Sequence, residues 1–148
     1  MIIKEVRLNE SILMELIALS EAWEKEGSSH GYRKNTPEDI EGNRVFIAEL
    51  DNRIVGYLFG HIETTKDATS IYPAGAVYFE LEELYVKPEF RNQGLGKKLF
   101  RYAEKAIATE AELILLGTAT KNYKAILHFY IDELDMAFWS ARLFKKIK

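Results

Sequence analysis

The side chains best able to do chemistry concentrate between residues 80 and 98. Glu80, Glu82 and Glu83 stand in an apolar stretch, and Arg91-Asn92-Gln93-Gly94-Leu95-Gly96 follows, immediately ahead of Lys97 and Lys98. Glycine is costly in ordered backbone, so two of them in three residues imply that the main chain itself approaches something closely. A turn of this kind between a strand and a helix suits an anion. The first N–H groups of a helix lack partners, the helix dipole favours negative charge there, and glycine removes the Cβ that would hold the anion away.

Several other chemistries are closed. The 148 residues contain no cysteine, which excludes disulfides, thiolate metal sites and cysteine nucleophiles. His30, His61 and His128 are far apart and show no metal-ligand spacing, so no metal is expected. No serine sits in a recognisable nucleophile context. The net charge of -3 argues against nucleic acid as the main partner. Charged residues interrupt the first twenty positions, and no apolar run is long enough to span a bilayer. With 47% hydrophobic and 29% charged residues, the expectation is one soluble cytoplasmic domain over residues 1–148.

Hydrophobic periodicity predicts the elements that position these groups. Residues 2–7 read as a strand; Asn9 caps a helix with Ile12, Leu13, Leu16, Ile17 and Trp23 at helical spacing. Residues 24–35 form a polar loop carrying His30 and Tyr32, and Thr36-Pro37 opens a short second helix. Residues 44–50 and 54–62 flank Asp51-Asn52-Arg53 as an antiparallel hairpin. Residues 76–86 form a strand leading into the glycine turn, and Leu99, Tyr102, Ala103 and Ala106 mark the helix after it. Residues 113–116 read as a strand buried on both faces, a helix follows from about Asn122, and 136–146 alternate as a last strand. Trp23 and Trp139 are expected to pack, and His128 to lie on a helix surface. Strands first and a strand–helix–strand–helix unit later make a mixed α/β layer structure.

The glycine turn fails both common nucleotide motifs. A dinucleotide fingerprint needs glycine at Leu99, and a P-loop needs glycine at Arg91 with serine or threonine at Lys98. Arg91-Asn92-Gln93-Gly94-Leu95-Gly96 instead resembles the pyrophosphate loop of the GNAT superfamily of acetyl-CoA-dependent N-acyltransferases, Arg/Gln-x-x-Gly-x-Gly/Ala between the fourth strand and the next helix. Leu84-Tyr85-Val86-Lys87-Pro88-Glu89-Phe90 is similar to the family's approach to that loop, and Asn122, Ala125, Phe129 and Tyr130 match its second signature. Two departures stand out. Asn92 replaces a glycine common in the family, a mild change because asparagine tolerates left-handed backbone. Asp135-Met136 replaces a frequent Gly-Phe, which puts the arrangement of the final strands in doubt.

The resemblance implies a mixed, mostly antiparallel sheet of six to seven strands flanked by about four helices, with strands four and five splayed. It implies acetyl-CoA as cosubstrate, with Arg91, Asn92, Gln93, Gly94, Leu95, Gly96 and Lys97 at the diphosphate. Main-chain groups of Leu84, Tyr85 and Val86 would run beside the pantetheine as an added strand, with Asn122 capping its helix and touching the same arm. Tyr130 stands where the family directs a hydroxyl at the sulfur of coenzyme A, and a phenol is protonated at neutral pH. The general base would be Glu82, where polyamine-type members carry an acid, or Glu80, where histone-type members carry theirs. Strand periodicity puts Glu80 and Glu82 on one face and Glu83 on the other, unless a bulge changes the parity. The implied activity is direct acetyl transfer to an amine of a small cationic molecule or a protein. A catalytically weak acyl-CoA-binding sensor is the alternative. Many relatives pair through their last strands, which makes a homodimer compatible with the reading.

Overall fold

Asp51 and Asn52 both adopt left-handed backbone, with φ of 50° and 62°, and turn the chain between β2 (Arg44–Leu50) and β3 (Arg53–Thr64). Two left-handed residues match the twist of the strands they join, which is why Asp and Asn stand there. The computed structural model describes residues 1–148 throughout. Around this hairpin it places a five-stranded sheet in the order β1 (Ile2–Val6), β2, β3, β4 (Val77–Val86), β5 (Leu113–Leu115). The pairings of β1 through β4 are antiparallel, and β4 pairs parallel with β5.

Helices cover both faces. On one side lies α1 (Glu10–Glu26), started by Asn9, whose Oδ1 accepts the Ile12 N–H at 2.8 Å, and stopped by Gly27 at φ 63°. The four-residue α2 (Pro37–Ile40) begins in a reciprocal Thr36–Asp39 capping box. On the other side lies α3 (Leu95–Ile107), which buries Leu95, Leu99, Phe100, Ala103 and Ile107 along one stripe. The short α4 (Tyr123–Leu127) widens into a π turn over His128–Glu133. Two apolar cores result, one between the sheet and α3 and one between the sheet and α1. No helix is long and apolar enough to cross a membrane.

The sheet has five strands, not six or seven, because residues 136–146 form no strand. Beyond Met136 the backbone makes no main-chain hydrogen bond, and Phe138, Trp139, Leu143 and Phe144 stay exposed. Period-two alternation is a local preference, whereas a strand needs a neighbour to bond to, and β5 offers an edge of three residues. Further along the tail, Trp139 meets Tyr72 edge-on at 5.9 Å and Phe144 meets His30 at 5.7 Å. Trp139 is therefore 50% exposed rather than packed. For the same reason β5 is the end of the sheet and only half-buried, not covered on both faces.

The β4–β5 pairing is also short. It joins Tyr78, Phe79 and Glu80 to Leu113, Ile114 and Leu115, and leaves residues 81–86 of β4 without a partner on that side.

Candidate active site

A β-bulge arranges the three glutamates of β4. Glu83 lies opposite Phe59 and Leu81 opposite Gly60, so Glu82 is the extra residue. Gly60 permits the close approach. A Cβ there would lie 2.2 Å from the Glu80 carbonyl oxygen and 2.7 Å from the Phe79 ring. Phe79 and Leu81 before the bulge, and Leu84 and Val86 after it, face α3; Tyr85 faces α1. Glu80 and Glu83 consequently share the α1 face. Glu82 reaches the same side, 3.6 Å from Nδ1 of His61. The unbulged parity, with Glu83 alone on the far face, does not hold.

Glu83 is the most tightly held of the three. Its Oε1 accepts hydrogen bonds from the Tyr57 hydroxyl at 2.8 Å, Asn35 Nδ2 at 2.9 Å and the Tyr32 hydroxyl at 3.0 Å. Burial pushes its carboxyl above the ordinary value, and these bonds pull only partly the other way. Tyr32 and Asn35 come from the loop between α1 and α2. That loop is tied down: the Asn35 N–H donates to Ser20 Oγ at 2.9 Å, and the His30 N–H to the Ala119 carbonyl at 2.8 Å. It thus bridges from α1 to the segment that follows β5. Glu80 is half-buried, and burial, then the Glu82 charge, push its carboxyl up while His61 opposes them. Glu82 is exposed.

The glycine turn lies at the other end of β4. Asn92 takes left-handed backbone at φ 61°, and Gly94 caps α3 at φ 80° with no side chain to satisfy the helix start. The N–H groups of Leu95, Gly96 and Lys97 find no acceptor in the chain; the first helical bond runs from Lys98 to Gly94. A Cβ on Gly94 would meet nothing, so the space above the turn is open. This donor set fits a diphosphate, and exposed Lys97 adds positive charge beside it. Gly96 has a different reason to be glycine: a Cβ there would stand 3.3 Å from the Phe129 ring. Gln93 folds back, its Nε2 donating to the Glu89 carbonyl at 3.1 Å.

Arg91 is engaged internally. Its guanidinium makes a two-pronged pair with Glu26 at 2.8 and 3.0 Å, and Nε donates to the Val86 carbonyl at 2.8 Å. The Tyr85 hydroxyl donates to the same Glu26 at 2.7 Å. The base of the turn is thereby fastened to the end of α1.

Tyr130 belongs to the π turn and packs among Phe100 and Phe129 on the α3 side. Burial pushes its phenol up to about 12, so it stays protonated across the neutral range. Its hydroxyl makes no hydrogen bond in the chain and is not sealed from solvent. Asn122 stands at the N-cap of α4, just ahead of Tyr123, but its side chain makes no capping bond. The carboxylates and Tyr130 therefore lie on opposite faces of the sheet, with the unpartnered stretch of β4 between them. Glu26, Asn35 and Tyr57 escaped the sequence reading; each acts through a partner more than twenty-five residues away, which leaves no local signal.

The acetyltransferase (GNAT) family model matches residues 13–133. The chain belongs to that family. An uncharacterised N-acetyltransferase in the pepI 3′ region of Lactobacillus delbrueckii subsp. lactis is 27% identical to this GNAT chain over 143 residues, covering 83% of the chain and 79% of that protein. An aminoglycoside N-acetyltransferase solved in complex with CoA shares the fold with a TM-score of 0.67 at 18% identity, over 99% of this chain and 98% of the other. A second aminoglycoside acetyltransferase, from an uncultured soil metagenomic sample and solved with trehalose, gives 0.66 at 20% identity over 99% and 97%.

Proposed function

We propose that the protein transfers an acetyl group from acetyl-CoA to a primary amine of a small cationic molecule. One arrangement carries the reading: unpartnered N–H groups at the start of α3 lie beside a stretch of β4 that has no strand on its free side. The first suits the diphosphate, with Asn92 through Lys97 around it. The second suits the pantetheine arm, whose amides can pair with main-chain groups of Leu84 and Val86. Bound acetyl-CoA supplies the thioester that the amine attacks. The CoA bound to a structural neighbour supports this cosubstrate.

The chain's own groups supply the proton traffic. A lysine-like amine has a pKa of about 10.4 and arrives protonated, so a carboxylate must take its proton, directly or through water. Of the two expected bases, Glu80 fits better than Glu82, because burial lifts its affinity for a proton whereas Glu82 is exposed on the bulge. Tyr130 offers a free hydroxyl to the leaving sulfur. Attack is direct, without an enzyme-bound acyl group on cysteine, since the chain has none. The glutamate-bearing face suits a cation, and two neighbours of the same fold are aminoglycoside acetyltransferases, which supports a small polycationic acceptor over a protein amine.

A thiol-release assay over polyamines, aminoglycosides, amino acids and peptide N-termini tests this. Thiol release with at least one polycationic small molecule is expected. Tight CoA binding with no release on any amine would replace the transferase with a binding module.

A further inference from the structure

We infer that Glu83 anchors an ammonium group of the acceptor, and that its enclosure by Tyr32, Asn35 and Tyr57, with Trp23 stacked on Tyr32, makes the site selective for cations. The identity of the ligand as an acceptor rests on the transferase reading; the existence of a cation site does not.

Apart from Glu80, which draws only on the charge of His61, the chain pairs its other partly covered carboxylates with lysine or arginine. Glu26 is paired with Arg91, Glu5 with Arg44, Glu49 with Lys4 and Glu15 with Arg53. Glu83 is more enclosed than Glu26, yet no lysine, arginine or histidine nitrogen lies within 4 Å of it. Its three partners, Tyr32, Asn35 and Tyr57, are neutral, and all of them donate to Oε1. Oε2 accepts no hydrogen bond and is not sealed from solvent. A carboxylate drawn out of water without a counter-charge is costly, and three neutral donors offset only part of that cost. A cation from outside, meeting Oε2, would supply the missing charge.

The surroundings suit an ammonium in particular. Trp23 stacks on Tyr32 at 4.2 Å and on Tyr85 at 5.3 Å, and Tyr57 lies 5.9 Å from Tyr85. Packed aromatic rings exclude the water that would screen the carboxylate. The donors are fixed before any ligand arrives: Ser20 Oγ donates to the Ile17 carbonyl and accepts from the Asn35 N–H, and Tyr32 is held by its stack. Little ordering therefore remains to be done on binding. With Oε1 occupied by three donors, Glu83 is placed to hold charge, and the proton transfer is left to Glu80.

Wild-type and Glu83→Gln protein, each saturated with CoA, would be titrated with spermidine and with tetramethylammonium in a calorimeter. The amide keeps an oxygen for the three donors and removes the charge. Dissociation constants for both probes should rise about tenfold in the variant, while CoA affinity is unchanged. With any amine the panel finds active, KM should rise by the same factor and kcat stay within about threefold. Equal dissociation constants in the two proteins, or no binding of either probe to the wild type, overturns the inference. Loss of cation binding where neither protein turns over would keep the anchor and sink the transferase; turnover with unchanged KM would do the reverse. Should the variant fail to melt cooperatively, the ¹³C carboxyl resonance of Glu83 in the unsubstituted protein decides. It should shift on adding spermidine, and constancy contradicts the assignment.

Discussion

Glu26 and Glu83 both receive a tyrosine hydroxyl on the α1 side of the sheet, yet their charges are handled in opposite ways. Glu26 is clamped by both prongs of Arg91. Burial works against its charge, but the bonds from Arg91 and Tyr85 and the guanidinium itself hold its carboxyl below the ordinary value. Glu83 has only neutral donors and titrates above that value. At the glycine turn the charges thus cancel internally and brace the bend, leaving bare main-chain N–H groups above it. Beside the loop between α1 and α2 a charge is left standing. The cosubstrate would be recognised by backbone, the acceptor by side chains.

The largest effect separates chemistry from both binding ends. Tyr130→Phe should lower turnover about a hundredfold, the low end for general acid–base groups, while CoA affinity stays within about threefold. Steady-state kinetics beside calorimetry reads both; a parallel loss of affinity would make Tyr130 a packing residue. Glu80→Gln comes next. A base must be ionised to act, so activity should fall as pH drops through a pKa lying above the ordinary 4.5, and the variant should lose that acid limb with about a tenfold drop at neutral pH. An acid limb that survives the substitution would pass the role to Glu82.

Smaller effects sharpen the comparison through stability. A depressed carboxyl stabilises the fold above its unfolded pKa and loses that contribution as pH falls through the folded value; a raised carboxyl does the opposite. Glu26→Gln should therefore lower stability at pH 7 by about 1 kcal/mol after solvent screening, with the deficit vanishing in acid. Glu83→Gln should melt no lower than wild type at pH 7, its advantage fading as pH falls through the raised pKa and gone below the ordinary 4.5. Melts with the same sign for both variants would erase the contrast. The least effect belongs to the tail: removal of residues 138–148 should change stability by no more than about 0.5 kcal/mol because that backbone makes no main-chain hydrogen bonds.

What was legible in the sequence follows the same division. Backbone geometry writes itself into residue type, so Asn92 and Gly94 at positive φ, the Asn9 cap and the Asp51-Asn52 turn were all readable. Gly96 was readable as a glycine but not for its reason, since Phe129 reaches it from a distant element. The surroundings of Glu83 draw on Trp23, Tyr32, Asn35 and Tyr57, which no local pattern connects. The bulge at Glu82 moved Glu83 onto the α1 face against strand parity, and only pairing with Gly60 and Phe59 reveals it. The last strand failed because alternation in 136–146 speaks of preference, while strand formation depends on a partner edge that β5 barely provides.

Calorimetric titration with CoA and with pantetheine, the same arm without the diphosphate, tests the central claim most directly. Wild-type protein should bind CoA at least about tenfold more tightly than pantetheine, and Gly94→Val, which forces a branched side chain into left-handed backbone, should erase that margin. Equal affinity for the two ligands, or an undiminished margin in the variant, would contradict it.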